Sequence, residues 1–314
     1  MLKRVLVTGI LAFILSTGCS SSPTIVILTD YGWNDPYAAT MQGVILSINP
    51  DARLLTITHA APNYNVREAS YLLAAAAKEY PGKTVFLAVV DPGVGGKRRA
   101  IILETLDGKY FVGPDNGLFT DVVRSFGLKR AVEINNVLWF RSAAVSSTFH
   151  GRDIFAPAAA HLSAGNDMQE AGPVVEQLVT FERTPAEYSL HTGAKGEIIH
   201  ADHYGNLISN IPATDLTKSG WQKGMMLEVK SGKQSISAKY VENYAAVPPG
   251  DFLLLINSQG LLELARNMAS ARDSLNVAAG DLITVHSFKP AEPEFTSPPV
   301  ASKPLTESMI GSKK

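Results

Sequence analysis

The 314-residue chain is 46% apolar and 18% charged, which suits one large or two medium globular domains with a buried core. Its formal net charge of -1 gives no global electrostatic reason to bind nucleic acid. Cys19 is the only cysteine, so an intramolecular disulfide framework is excluded.

The first residues read as a targeting segment. Met1-Leu2-Lys3-Arg4 is a basic start, and residues 5–15 form an apolar stretch too short to span a bilayer. Leu15-Ser16-Thr17-Gly18-Cys19 followed by three serines resembles a bacterial lipoprotein cleavage site, with Ser16 where an aliphatic residue is usual. The expectation is a lipoprotein-type signal peptide over residues 1–18 and lipidation at Cys19. The protein would then be a membrane-anchored lipoprotein of the cell envelope, on the periplasmic side in a Gram-negative cell. An ordinary secretory peptide with an incidental cysteine is the alternative.

Three apolar runs then stop at an aspartate: TIVILTD at Asp30, TVFLAVVD at Asp91 and KYFVGPD at Asp115. Short β-branched runs bounded by turn residues predict buried strands of a largely parallel sheet. Ligands of open α/β sheets bind beyond the carboxyl ends of the strands, so three carboxylates are expected along one crevice. Between the runs, Asn34-Asp35-Pro36 predicts a helix start with a capping side chain and a proline in the first turn. Asn65 with Glu68 reads as a capping box opening an alanine-rich helix. Residues 99–104 and 110–112 predict a strand pair joined by Asp107-Gly108, and residues 118–126 and 156–164 predict helices closed by Gly127 and Gly165. Alternating β and α units over residues 24–180 predict an α/β N-terminal domain with a doubly wound central sheet. Strand patterns at 196–201, 225–229, 234–238, 252–256 and 282–286, with a short helix pattern at 261–268, predict a smaller, mostly-β C-terminal domain over residues 190–288. Residues 289–314, rich in Pro, Ser, Lys and Glu, read as a disordered tail.

Four further motifs carry candidate chemistry. Thr148-Phe149-His150-Gly151-Arg152-Asp153 sets a histidine, the side chain suited to proton handling near neutral pH, between an aromatic ring and a glycine. In the segment from Val89 to Arg99, glycines after Asp91 let backbone approach a ligand. An arginine within reach would keep Asp91 ionised, and either Arg98 or Arg99 could turn inward. The phosphate-loop order of residues is absent there. Asp202-His203-Tyr204-Gly205-Asn206 and Asn257-Ser258-Gln259-Gly260 offer amide and hydroxyl groups able to read a purine edge, though turn chemistry alone explains them more simply.

In chain order the motifs LTDYG, VVDPGVG, RR, PDNG, TFHGRD, DHYGN and NSQG resemble those of the S-adenosylmethionine hydroxide adenosyltransferases, relatives of the fluorinases and chlorinases, over residues 24–286. The resemblance implies hydrolysis of S-adenosyl-L-methionine to adenosine and L-methionine, without cofactor or metal. It implies a catalytic trio of Asp91, Arg98 and His150, and ribose binding by Asp30. Adenine recognition would fall to Asn206, Asn257, Ser258 and Glu263, with Tyr204 as a stacking ring and Asp202 toward the methionine part. It also implies a site formed between the N-terminal domain of one subunit and the C-terminal domain of the next, in a homotrimer. Asp91 and Gly151 stand where the halogenases place tyrosine and serine, which points away from a halide pocket. Thr56 and Gln42 depart from residues common in the family, an acidic residue and a lysine. A metal-dependent nucleoside hydrolase and a nucleoside-binding lipoprotein without turnover are the competing readings.

Overall fold

The structure, a computed structural model, describes residues 24–190, 193–217 and 219–287. The expected signal segment, Cys19 and the tail at 289–314 lie outside those residues.

The first domain is built on β1 (Thr24–Thr29), α1 (Tyr37–Ile48), β2 (Arg53–Thr58), α2 (Val66–Ala77), β3 (Val85–Val89), β4 (Ala100–Thr105), β5 (Tyr110–Pro114), α3 (Thr120–Phe126), β6 (Leu128–Glu133) and α4 (Ala156–Ser163). Its sheet runs β2-β1-β3-β5-β4-β6. The first four strands are parallel, and β4 and β6 are antiparallel to their neighbours. The apolar runs are continuous because both faces are covered. Ile25 and Ile27 face a core shared with α1 and α4, while Val26 and Leu28 face one shared with α2 and α3. Phe86 on β3 and Phe111 on β5 are register partners whose rings stack at 4.7 Å. Such a pair adds about 0.5–1.5 kcal/mol beyond its buried area.

Two local expectations are corrected. Helix α1 begins at Tyr37 without a side-chain cap, and Pro36 is its N-cap. Asn65 does cap α2, accepting from the Glu68 amide at 3.1 Å. The reciprocal arm differs from a capping box, because Glu68 receives the Asn65 side-chain amide at 3.0 Å.

The second domain contains β7 (Glu187–Ser189), β8 (Gly193–Ala201), β9 (Leu207–Pro212), β10 (Met226–Ser231), β11 (Gln234–Tyr240), β12 (Phe252–Ile256), β13 (Leu261–Arg266) and β14 (Leu282–Ser287). They run β14-β10-β11-β12-β13-β9-β8-β7, and β8 also pairs with β14, which closes a barrel. The segment expected to be helical is β13. Leu262 to Ala265 are all buried, so the period-two alternation that marks a strand is missing, and a doubly buried strand reads like a helical segment. The helix lies later, at Ala271–Leu275, capped by the Ser270 hydroxyl.

The connection between the domains is held by buried charge. Arg183 donates to Asp121 at 2.6 Å, to the Arg67 carbonyl at 2.8 Å and to Glu197 at 3.3 Å. Asp115 belongs to this connection. It pairs with Arg99 and accepts from the Val179 amide at 2.8 Å. Of the three strand-end carboxylates, Asp115 is therefore structural.

Candidate functional site

Asp91 follows β3, at the carboxyl edge of the parallel strands. Gly95 brings its loop against a second one. At φ +75° a side chain is disfavoured, and a Cβ there would lie 2.2 Å from the Ser147 carbonyl oxygen. The 91–98 loop thus packs backbone to backbone on the segment leading into His150.

Arg98 occupies the junction. Its Nε donates to both Asp91 carboxylate oxygens at 3.1 and 3.0 Å, and its Nη2 donates to Oδ2 at 2.6 Å. The same Nη2 lies 2.7 Å from His150 Nδ1. A guanidinium only donates, so Nδ1 must be the bare nitrogen and the neutral ring carries its proton on Nε2. Burial and the adjacent Arg98 charge both push the His150 pKa below its ordinary value. The side chains of Arg98 and Asp91 are only 10% and 4% exposed, so this pair is shielded from solvent. Arg99, the other arginine of the motif, points to Asp115 and the Gln177 carbonyl.

His150 precedes a π-helical turn, Gly151–Phe155, that runs into α4. Such turns recur at functional sites because they re-aim side chains within a helix. Arg152 and Asp153 of the same motif are support: they pair at 2.7 Å, and Asp153 accepts the Ser146 amide at 2.9 Å.

Beside the trio is a cavity of about 250 Å³ lined by Asp30, Tyr31, Tyr37, Tyr64, Asp91 and Val94, among others. Asp30 accepts the Tyr64 amide at 3.1 Å. Burial raises its pKa, and the neighbouring Asp91 charge adds to the rise. Tyr31, Tyr37 and Phe149 meet edge to face at 5.2 to 6.0 Å and form an aromatic wall. Gly151 lies against it, and a Cβ at that position would be 2.5 Å from the Tyr31 hydroxyl.

A second cavity, of about 650 Å³, opens in the barrel domain and is lined by Asp202, Tyr204, Asn206, Tyr244, Arg266 and Met268, with Ala269 and Ser270. Asp202 orders the loop here, accepting from the Tyr204 and Asn206 amides at 2.9 Å each and from the Asn206 side chain at 2.9 Å. Tyr204 is 76% exposed, and its ring meets only the His203 ring, edge to face at 5.7 Å, among the ring contacts of the described residues. Asn257, Ser258 and Glu263 are not among the lining residues. Asn257 Oδ1 accepts the Gln259 and Leu261 amides, which fixes its own turn. Ser258 is exposed. Glu263 is buried and holds the Tyr244 hydroxyl at 2.7 Å; burial raises its pKa. Tyr31, Tyr64 and Tyr244 escaped the sequence reading. Only the aromatic next to Asp30 carried a signal, as the neighbour of a strand-end carboxylate.

Parallel strands ending in a carboxylate–guanidinium–imidazole cluster, joined to a barrel with its own cavity beside Asp202 and Asn206, define an enzyme for a small-molecule substrate. The family profile described as SAM hydroxide adenosyltransferase N-terminal domain matches residues 25–172, and its C-terminal counterpart matches residues 196–284. The (R)-S-adenosyl-L-methionine hydrolase of Methanocaldococcus jannaschii is 35% identical over 83% of this chain and 95% of its own length. That of Salinispora tropica is 38% identical over 84% and 98%. The solved structure of an uncharacterized conserved protein from Thermotoga maritima superposes with a TM-score of 0.80 at 36% identity, over 83% of this chain and 99% of that one. Fluorinases match at lower identity. The chain belongs to the SAM hydroxide adenosyltransferase family.

These findings correct the expectation of a signal peptide, lipidation and an envelope location. The part shared with the hydrolases spans 95–98% of their lengths, and the family profile begins at residue 25, beyond Cys19. Among the described residues no helix is long and apolar enough to cross a membrane.

Proposed function

We propose that the chain hydrolyses S-adenosyl-L-methionine by in-line attack of an activated water on the 5′ carbon, giving adenosine and L-methionine. The chemistry would sit in residues 24–180 and nucleoside binding in residues 190–288. The observation that carries this reading is the single guanidinium bridging Asp91 and His150. The leaving sulfonium becomes a neutral thioether and needs no acid, so the difficulty is the nucleophile. His150, neutral with its proton on Nε2, donates to the water oxygen. Asp91 takes the water proton and later releases it to solvent, while Arg98 stabilises the developing hydroxide charge. The aromatic wall excludes bulk water, which strengthens each of these interactions.

Asp30 would hold the ribose hydroxyls. Asp202, Tyr204 and Asn206 would engage the methionine and adenine parts, with Glu263 acting through Tyr244 and with Asn257 and Ser258 nearby on the same domain. The cleft at Asp30 and the cavity at Asp202 share no lining residue within one chain. That supports completion of each site by a neighbouring subunit, in the homotrimer that the family resemblance implies. Among the described residues no three His, Cys, Asp or Glu side chains converge as a metal-binding group, so no observation favours the metal-dependent nucleoside hydrolase.

Incubation of the purified protein with S-adenosyl-L-methionine, with and without EDTA, followed by chromatography, tests this. Adenosine and methionine in equal amounts, unaffected by EDTA, are expected. Free adenine, or loss of turnover with EDTA, would overturn the proposal.

A further inference from the structure

Glu68 is a charged residue in the first turn of α2, yet it is only 6% exposed. Surface helices place such residues outward, so its burial requires partners. One partner lies on the other domain. His200 Nδ1, on β8, is 2.6 Å from Glu68 Oε1, and the Ala201 amide donates to the same oxygen at 3.3 Å. The carboxylate only accepts, so Nδ1 carries the proton. Tyr71, one turn further along α2, lies against the His200 ring at 5.7 Å.

Two features connect this contact to the candidate site. Ala201 is followed at once by Asp202, whose carboxylate orders Tyr204 and Asn206. On the other side, Glu68 is bonded to Asn65, and the adjacent Tyr64 turns into the left-handed region at φ 62° to give its amide to Asp30. The first turn of α2 therefore braces Asp30 in its own domain and the Asp202 loop in the barrel domain.

We propose that Glu68 and His200 are positioning residues for substrate. By anchoring the strand that enters the 202–206 loop, they hold Asp202, Tyr204 and Asn206 in binding geometry. This rests on the proposed role of that loop in substrate binding. Neither residue touches the trio, so the effect is on binding and not on the chemical step.

The test compares Glu68→Ala, Glu68→Gln and His200→Ala with the double Ala variant. Loss of one charge-assisted bond should raise KM and the adenosine Kd about tenfold while kcat stays within about twofold. The double variant should be no worse than either single one, because the two residues act as one unit. Glu68→Gln should fall between the wild type and the Ala variants, since its amide oxygen still accepts from Nδ1–H and the Ala201 amide while its NH2 replaces the acceptor of the Asn65 side chain. Amide hydrogen exchange over residues 202–206, which needs no substrate, should speed up about tenfold more in the Ala variants than exchange in β10 and β12, whose protection tracks the global stability that loss of a buried pair also lowers. Unchanged exchange and Kd in the Ala variants would overturn the proposal, as would additive losses or a fall in kcat at constant KM. If Glu68→Ala does not fold, His200→Ala decides by the same measurements. Failure of the wild type to turn over S-adenosyl-L-methionine would refute the hydrolase reading, while the exchange experiment would still report on the brace.

Discussion

Substituting Arg98 by lysine keeps the charge and removes the fork. In the native site one planar guanidinium reaches both Asp91 oxygens and His150 Nδ1, at 2.6 to 3.1 Å. A lysine ammonium is a single point and cannot span a carboxylate bidentately while also reaching the imidazole. At least one charge-assisted bond is lost, worth about 1.5–3 kcal/mol. If that bond acts in the transition state, kcat falls roughly 10²-fold, at similar adenosine affinity. Arg98→Met is a harsher control. It leaves the Asp91 carboxylate, 4% exposed, without its countercharge. Breaking a buried pair in that way costs about 3–5 kcal/mol of stability. At about 2–4 °C per kcal/mol the melting temperature should drop by roughly 6–20 °C. Initial rates of adenosine release, adenosine calorimetry and thermal melts separate the two effects. An Arg98→Lys enzyme that keeps kcat within about twofold would refute the bridging argument.

The lowered pKa of His150 sets a pH dependence: kcat should fall on acidification through that value, because an Nδ1 proton would face the Arg98 donor at 2.7 Å. Its stability contribution follows the same sign. With a folded pKa below the ordinary 6.5, the unfolded chain takes the proton first, so the contribution is complete above 6.5 and fades as pH falls toward the folded value. A His150→Gln variant should flatten that part of both profiles, and a residual step of the same size would count against the assignment. Asp30 has a raised pKa from burial, so its charged form is held at a cost. Asp30→Asn should raise the melting temperature while weakening substrate binding, and a lower melting temperature would contradict this. Gly151→Ser should reduce both stability and turnover, since its Cβ meets the Tyr31 hydroxyl at 2.5 Å and Met41 sulfur at 3.0 Å. Overpacking of this kind costs about 1–3 kcal/mol. A fully active variant with an unchanged melt would show that Tyr31 yields freely.

The sequence was most legible where local chemistry and global fold agree. The apolar runs ending at Asp30 and Asp91 gave the strands, their parallel order and the crevice, because burial on both sheet faces leaves an uninterrupted run. The same rule misled at β13, where burial on both faces of the barrel strand erased the alternation. Asp115 looks like Asp91 along the chain, and what separates them is the arginine each one meets. Arg98 turns into the site and Arg99 turns to the linker, a choice set by backbone direction and not by residue type. The contact of Glu68 with His200 joins residues 132 apart and carries no periodic signal. Asp91 and His150 were candidates from their local motifs, but their grouping with Arg98 was readable only through resemblance to a family. Residues 91, 98 and 150 come together because the Gly95 loop packs against Ser147, a tertiary event.

Strand β8 has three neighbours: β7, β14 and, in its second half, β9. It is the seam where the barrel closes, and the 202–206 loop is its direct continuation. Freeing that loop would therefore loosen the end of the seam strand as well as the loop itself, so the loop is not an isolated flexible tip. The loop should accordingly resist proteolysis even without ligand, and substrate would meet a surface already formed, with little ordering entropy left to lose on binding.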